Sequence, residues 1–313
     1  MKTGIGAPVS GAWAGPESLA RVSGLAEELG YHALWTFSRL LMPADQGGER
    51  VGDPVYRSVL DPLVALGFAA ARTSRVRLGV AVVNLPFLSP TYLAKQAATL
   101  DVLSGGRFDL GLGIGWSPLE FTASGASTAR RGARTAEYLE VLRTLWSDQV
   151  PARYDGEFYT LPESRMDPKP VQRPGPPVLL GGMTPVTLRR VGRLADGWVS
   201  ASGTRLAGIA GQIALVREAA EQAGRDPAAL RFVCRAVVRF DPSGAGATDR
   251  AGERLLLSGS AERIREDAAW LGTQGVTELF YDLNWDPRIG DPSADPAGAA
   301  ERAEEIIRAL APV

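Results

Sequence analysis

The sequence predicts a (β/α)₈ TIM barrel with insertions, and three observations carry that expectation. Apolar stretches of strand length alternate with longer stretches of helical period from one end of the chain to the other, the pattern of βα units around a parallel sheet. Eight of each can be counted, and 313 residues suit one such barrel with extra loops. No repeat at a solenoid period and no low-complexity tract interrupts the pattern, so residues 1–313 are read as one domain.

The expected strands lie near Thr3 to Pro8, Ala33 to Phe37, Val76 to Val83, Phe108 to Gly115, Val178 to Gly182, Gly197 to Ala201, Leu230 to Phe240 and Val276 to Leu283. Between them fall helices near Glu17 to Leu29, Asp61 to Arg72, Pro90 to Leu103, Arg130 to Trp146, Pro185 to Leu194, Leu206 to Ala223 and Ala261 to Gly272, with a last one from Ala297 to Leu310. Two helix starts are legible in detail: Ser89-Pro90 and Thr184-Pro185 each set a capping hydroxyl before a proline at the first helical position. Three segments break the rhythm: Arg39 to Ser58, Ser147 to Pro177 and Asp241 to Ser258. The second contains ARYDGEFYTL, which reads as a hairpin laid over the barrel mouth.

Composition excludes several classes of function. The net charge of −1 gives no electrostatic reason to expect nucleic acid or an anionic membrane surface, so a small-molecule substrate is expected. The longest nearly apolar run, Pro62 to Ala71, falls short of the roughly 18 residues that span a bilayer. The opening MKTGIGAPVSGAWAG shows no charged region followed by an apolar one, so no signal peptide is read and a cytoplasmic location is expected. A single cysteine, Cys234, and a single histidine, His32, leave no cluster for a zinc or iron site, so no metal is expected. His32 is read as a surface or packing residue and Cys234 as a small buried strand residue.

The stretch SGGRFDLGLGIGWSPLEF, residues 104–121, raises the question of a dinucleotide loop. Its glycines recur with period two, the period of a strand and not of a G-x-G-x-x-G turn. Phe108, Leu110, Leu112 and Ile114 then share one face, expected to meet the helices, while Asp109, Gly111, Gly113 and Gly115 face the barrel axis and leave room for something flat. Trp116 follows at the strand's C-terminal end, where barrel enzymes keep their chemistry, and Ser117-Pro118-Leu119-Glu120 reads as a capping box. Two readings of Trp116 stay open, lid packing and stacking beside a planar cofactor. Farther on, LLGGMTPVTLRRVGRLADGWVS, Leu179 to Ser200, closes a strand on Gly181-Gly182 and starts a helix at Thr184, which is either an ordinary tight loop or an anion site.

These two stretches resemble the bacterial luciferase-like superfamily of flavin- and deazaflavin-dependent oxidoreductases, and further similarity runs through LGYHALWTFSRLL, SRVRLGVAVVNLP and SPTYLAKQAATLDVLSGGR. The sequence looks most like the coenzyme F420-dependent branch. That resemblance implies a barrel, commonly a homodimer, with a deazaflavin (or, as the alternative, FMN) ring in its mouth. It implies a non-prolyl cis peptide at Ala81-Val82 or a residue beyond, with Asn84 nearby, and a cofactor phosphate near Gly181, Gly182, Met183 and Thr184. Gly113, Gly115 and Ser200 complete the expected cofactor-contacting set. The branch's Asp-His pair is replaced here by Ser38 and Arg39, and Trp116 stands where some members carry a proton-donating glutamate. Ser38, Arg39 and Trp116 are therefore the candidate catalytic positions, with Arg39 suited to an anionic group. Tyr56 and Asp282 are further candidates for moving a proton. The implied activity is hydride transfer to a C=C or C=N bond; the rivals are an FMN-dependent monooxygenase and a flavin-binding barrel without turnover.

Overall fold

Eight parallel strands close into a ring in the order β1-β8-β7-β6-β5-β4-β3-β2, with β1 paired to both β2 and β8. They are β1 (Lys2–Gly6), β2 (Ala33–Thr36), β3 (Arg77–Asn84), β4 (Phe108–Gly113), β5 (Val178–Gly181), β6 (Gly197–Val199), β7 (Arg231–Val237) and β8 (Glu278–Asp282). The computed structural model describes residues 1–44 and 52–312; residues 45–51, in the first expected insertion, lie outside the described residues. The (β/α)₈ barrel and all eight expected strands are found, most ending within a residue or two of their expected bounds.

The outer helices are α1 (Pro16–Glu28), α2 (Pro62–Ala70), α3 (Pro90–Leu103), α4 (Arg131–Trp146), α5 (Pro185–Leu194), α6 (Ile209–Gln222), α7 (Ala261–Thr273) and α8 (Pro296–Ala309). Their starts follow from local chemistry. Ser89 Oγ accepts from the Tyr92 amide at 3.2 Å, and Asp61 accepts from the amides of Leu63 and Val64, each ahead of a proline that has no N–H to lose. α2 is apolar nearly all round, and its outer face leaves Val64 73% exposed.

Alternation along the strands sorts residues into two cores. Phe108, Leu110 and Leu112 of β4 point outward and pack with Leu93, Ala97, Leu139 and Leu142 of the helices. Inside the barrel, Trp35, Leu179, Val199, Val233 and Phe280 fill the middle layer, with the Trp35 and Phe280 rings stacked at 5.3 Å. Below them Arg77, Asp109, Arg231 and Glu278, all at the N-terminal ends of their strands, form an ionic floor whose carboxylates are buried and whose arginines are half-buried.

The hairpin is present, Ala152–Asp155 against Thr160–Ser164, and its place differs from expectation. Glu137 of α4 accepts the amides of Glu157, Phe158 and Tyr159 and draws the hairpin onto the flank of that helix, away from the barrel mouth. The third insertion is framed by a two-stranded parallel pair, Arg239–Phe240 with Ser258–Gly259.

Candidate active site

A cavity of about 460 Å³ opens at the C-terminal ends of the strands. Its wall contains each of the expected catalytic and cofactor-contacting positions: Ser38, Arg39, Ala81, Val82, Asn84, Gly113, Gly115, Trp116, Gly181, Gly182, Met183, Thr184 and Ser200. Five strands, β3 to β7, and the loops after β2, β4, β5 and β6 contribute, as the barrel architecture provides.

One wall is built by β3 and β4. The Ala81-Val82 peptide is cis, and β3 carries one extra residue there: Val80 pairs with Leu110, whereas Val83 pairs with Leu112. Ser38 Oγ donates to the Val82 carbonyl at 2.6 Å, so the hydroxyl expected to be catalytic has its proton engaged in holding this bulge. Gly111 and Gly113 do face the axis, whereas Gly115 lies past the end of β4 with φ 70°, where a Cβ would meet the Phe121 and Phe87 rings; the room the first two leave is used differently from expectation. A Cβ on Gly111 would run into the Val80 carbonyl oxygen, and one on Gly113 would lie 2.6 Å from Val82 Cγ2 and 2.8 Å from Asn84 Oδ1. The glycines admit the β3 bulge, and the bulge presents Ala81 and Val82 to the cavity.

A second wall gathers around Arg39, whose side chain is almost wholly buried. Its guanidinium lies 4.6 Å from the Trp116 ring centroid and 5.2 Å from that of Tyr56, which favours a cation over the ring faces. Glu120, 1% exposed, approaches Arg39 Nε at 3.5 Å and accepts from the amides of Leu40 at 2.8 Å and Leu41 at 3.2 Å. The expected capping box is therefore not formed: the Ser117 side chain makes no cap hydrogen bond, and the Glu120 carboxylate is turned to two amides after β2. A carboxylate taking two N–H donors beside a cation is better satisfied than one reaching back to a single amide of its own helix. Trp116 covers Arg39 from the solvent side and remains 66% exposed.

The third wall is the turn from β5 to α5. Trp198 Nε1 donates to the Gly182 carbonyl at 2.9 Å, fixing the turn from beneath. Thr184 and Thr187 form a reciprocal cap, Thr187 N to Thr184 Oγ1 at 3.3 Å and Thr184 N to Thr187 Oγ1 at 3.1 Å. The first turn of this ten-residue helix thus meets the cavity with the positive end of its dipole.

Sequence reasoning missed Arg235. It is 6% exposed, donates from Nε to Asp282 Oδ2 at 2.7 Å, and lies with its guanidinium 4.5 Å over the Phe37 ring. Its Nη2 is buried without a hydrogen-bond partner among the described residues. A signal was present: in RFVCRAV, Arg231, Val233 and Arg235 share the inward face of a buried strand, where two arginines need explanation. Asp282, expected as a proton carrier, does not line the cavity; it takes Arg235 on one oxygen and the Asn284 amide and Nδ2 on the other. Tyr56 is in the wall, edge-on to Phe37 and Trp285. His32 precedes β2 at the opposite end of the barrel, where burial, with the charges of Lys2, Arg77 and Arg231, pushes its pKa down to about 4. Cys234 points outward into the core, and burial raises its thiol to about 12.

The luciferase-like monooxygenase model matches residues 2–310. The chain belongs to that family. It is an oxidoreductase in consequence. It is 36% identical over 262 residues to the uncharacterized protein Rv0953c of Mycobacterium tuberculosis, covering 81% of this chain and 90% of the relative. Among solved structures, monooxygenase RslO1 from Streptomyces bottropensis superposes with a TM-score of 0.79 at 25% identity, covering 99% of this chain and 98% of the other. The coenzyme F420-dependent tetrahydromethanopterin reductase of Methanopyrus kandleri shares the fold, with a TM-score of 0.75 at 17% identity over 98% and 97% of the two chains.

Proposed function

We propose that this oxidoreductase passes a hydride between the deazaflavin coenzyme F420 and a small organic substrate, reducing a C=C or C=N bond. The observation that carries the reading is the convergence, in one cavity, of a flat aliphatic platform at Ala81-Val82 and an anion-accepting helix start at Thr184. The residues present fit a planar ring joined to a phosphate. Ala81 and Val82 would support the ring, Ser38 holds that support in place, and Gly182, Met183 and Thr184 would take the phosphate.

When bound in its reduced form the cofactor supplies the hydride, so the chain's work is orientation, charge placement and exclusion of water. Arg39, clamped between Glu120 and the Trp116 ring, sets a fixed positive charge in the wall. Tyr56, in the same wall, would move the substrate proton, and water would serve otherwise. The chain is further proposed to work as a homodimer, with a second copy covering the apolar outer face of α2 around Leu60, Val64 and Phe68. Sedimentation should then give twice the chain mass, and Val64→Glu should return the monomer.

A second reading, an FMN-dependent monooxygenase, is favoured by the higher identity to monooxygenase RslO1. Titration of the purified protein with oxidised F420 and with FMN, followed by absorbance and fluorescence, separates the two. The expected result is a micromolar Kd for F420 and binding of FMN weaker by more than about tenfold. The reverse order moves the assignment to the second reading, and binding of neither sinks both.

A further inference from the structure

Behind the Arg235 side chain lies a second cavity of about 440 Å³ that shares Ser202, Gly203 and Arg235 with the first. Arg235 therefore stands in the partition between the two. Its Nε is taken by Asp282, while Nη2 carries N–H groups with no acceptor among the described residues. A guanidinium N–H buried without an acceptor is unfavourable, and native chains keep few of them. Arg235 lines both cavities, although Nη2 itself is covered, so a small turn of the guanidinium presents the unpaired N–H to an acceptor from outside the chain.

We propose that Arg235 is a substrate-binding residue that donates to the carbonyl oxygen of a neutral substrate lying across the junction of the two cavities. Charge decides for a neutral partner. Asp282 already balances the guanidinium at 2.7 Å, and a second buried carboxylate would sit against the first. The second cavity is lined by Arg205, Arg235, Arg239 and Arg254 against Asp249 and Glu253; Asp282 and Asp267, just outside the lining, pair with Arg235 at 2.7 Å and Arg254 at 2.6 Å, so the four cations face four carboxylates and no net positive charge is left for an anion. Apolar Val237 and Leu256 in the same wall suit a hydrocarbon portion.

Position gives the contact its use. In the ring of eight strands β7 is four strands from β3 in either direction, so Arg235 faces the Ala81-Val82 platform across the barrel axis. A carbonyl held by Arg235 sets the carbons beside it over that platform. This use rests on the proposed function; the binding site itself does not.

Fluorine NMR titrations of the cofactor-free protein test the site with three probes of similar shape: 4′-fluoroacetophenone, 1-ethyl-4-fluorobenzene and 4-fluorobenzoate. The expected result is that the ketone binds more tightly than the hydrocarbon by more than about tenfold, and more tightly than the benzoate. In Arg235→Met the ketone and the hydrocarbon should come within about twofold of each other. Arg235→Met/Asp282→Asn, which removes the carboxylate left unpaired, should behave the same way, with thermal melts confirming that both variants fold. Equal binding of ketone and hydrocarbon by the wild type overturns the proposal, as does a ketone preference that survives in a folded Arg235→Met. Tighter binding of benzoate overturns the neutral-substrate assignment. A loss of F420 or FMN affinity in Arg235→Met would give the oxygen to the cofactor and sink the proposal too. Failure of the wild type to bind either cofactor sinks the proposed function and leaves the probe titrations as they stand.

Discussion

The two ends of the barrel interior use the same chemistry, arginine against carboxylate, and finish it differently. At the floor, Asp109 takes Arg77 at 2.6 and 2.8 Å and Arg231 at 2.7 and 3.1 Å, while Glu278 takes Arg231 and the Trp35 indole, both at 2.9 Å. At the mouth, Arg39 Nε, 3.5 Å from Glu120, and Arg235 Nη2 are buried with no hydrogen-bond partner among the described residues. A buried charge is tolerable once paired and hydrogen-bonded, so the closed floor reads as structure and the open mouth as a place kept for a ligand. Among the described residues the floor has one loose end, His32 Nε2, which stands 4.0 Å from Glu278.

If that contrast is right, cutting the floor costs far more stability than cutting the mouth. Asp109→Ala strands two arginines at once, and breaking a buried pair by removing one partner costs about 3–5 kcal/mol. Urea unfolding checks the value. A loss near that seen for a surface ion pair, below about 1 kcal/mol, would show that the network only decorates the barrel.

The loose end gives the next largest effect, and it depends on pH. Burial, with Lys2, Arg77 and Arg231 nearby, lowers the folded-state pKa of His32 to about 4 from 6.5. As pH falls, the unfolded chain takes up this proton first, so stability is complete above 6.5 and declines between 6.5 and 4. The decline is worth about 2–3 kcal/mol, and His32→Gln should flatten it. Asp109 acts in a lower window. Burial opposes its ionisation, yet Arg77 and Arg231 hold its carboxyl below the ordinary 3.8, and the stability it contributes is lost below that value. A variant whose stability falls as steeply as the wild type's between pH 6.5 and 4 would remove His32 from the account.

How much of this was legible in the sequence follows from the range of each interaction. The barrel count, the caps at Ser89 and Thr184 and the inward glycine face of β4 are local or periodic, and they were found where expected. The cavity also contains the residues that the family resemblance implied. Glu120 was misread because S-x-x-E is a local pattern, whereas the amides it serves are some eighty residues away and came free only when the chain turned after β2. The same holds for Gly111 and Gly113: period two gives their face, but only the bulged register of β3 reveals that Val80 and Val82 occupy it.

At the mouth, Glu120→Gln keeps Oε1 as the acceptor of both the Leu40 and Leu41 amides and removes the charge beside Arg39. The expected stability loss is about 1–2 kcal/mol, since a hydrogen bond to a charged group contributes more than a neutral one. Cofactor affinity should drop as well, because the Ser38 and Arg39 segment is anchored there. A loss as large as that of Asp109→Ala would erase the contrast between the two ends.

The smallest effect on stability, and the most selective on binding, belongs to Trp116. Its ring is 66% exposed, so little apolar area returns to water when it is cut back, and its contact with the Arg39 guanidinium at 4.6 Å contributes about 0.5–1 kcal/mol. Trp116→Ala should therefore melt within a few degrees of the wild type. The guanidinium, however, loses its cover from the solvent side and gains freedom to leave the wall. A floor arginine could not respond in this way, because Asp109 holds both of its neighbours at two points each. Weaker F420 binding at unchanged melting temperature is thus the signature of a mouth residue. Loss of both together would place Trp116 among the structural supports.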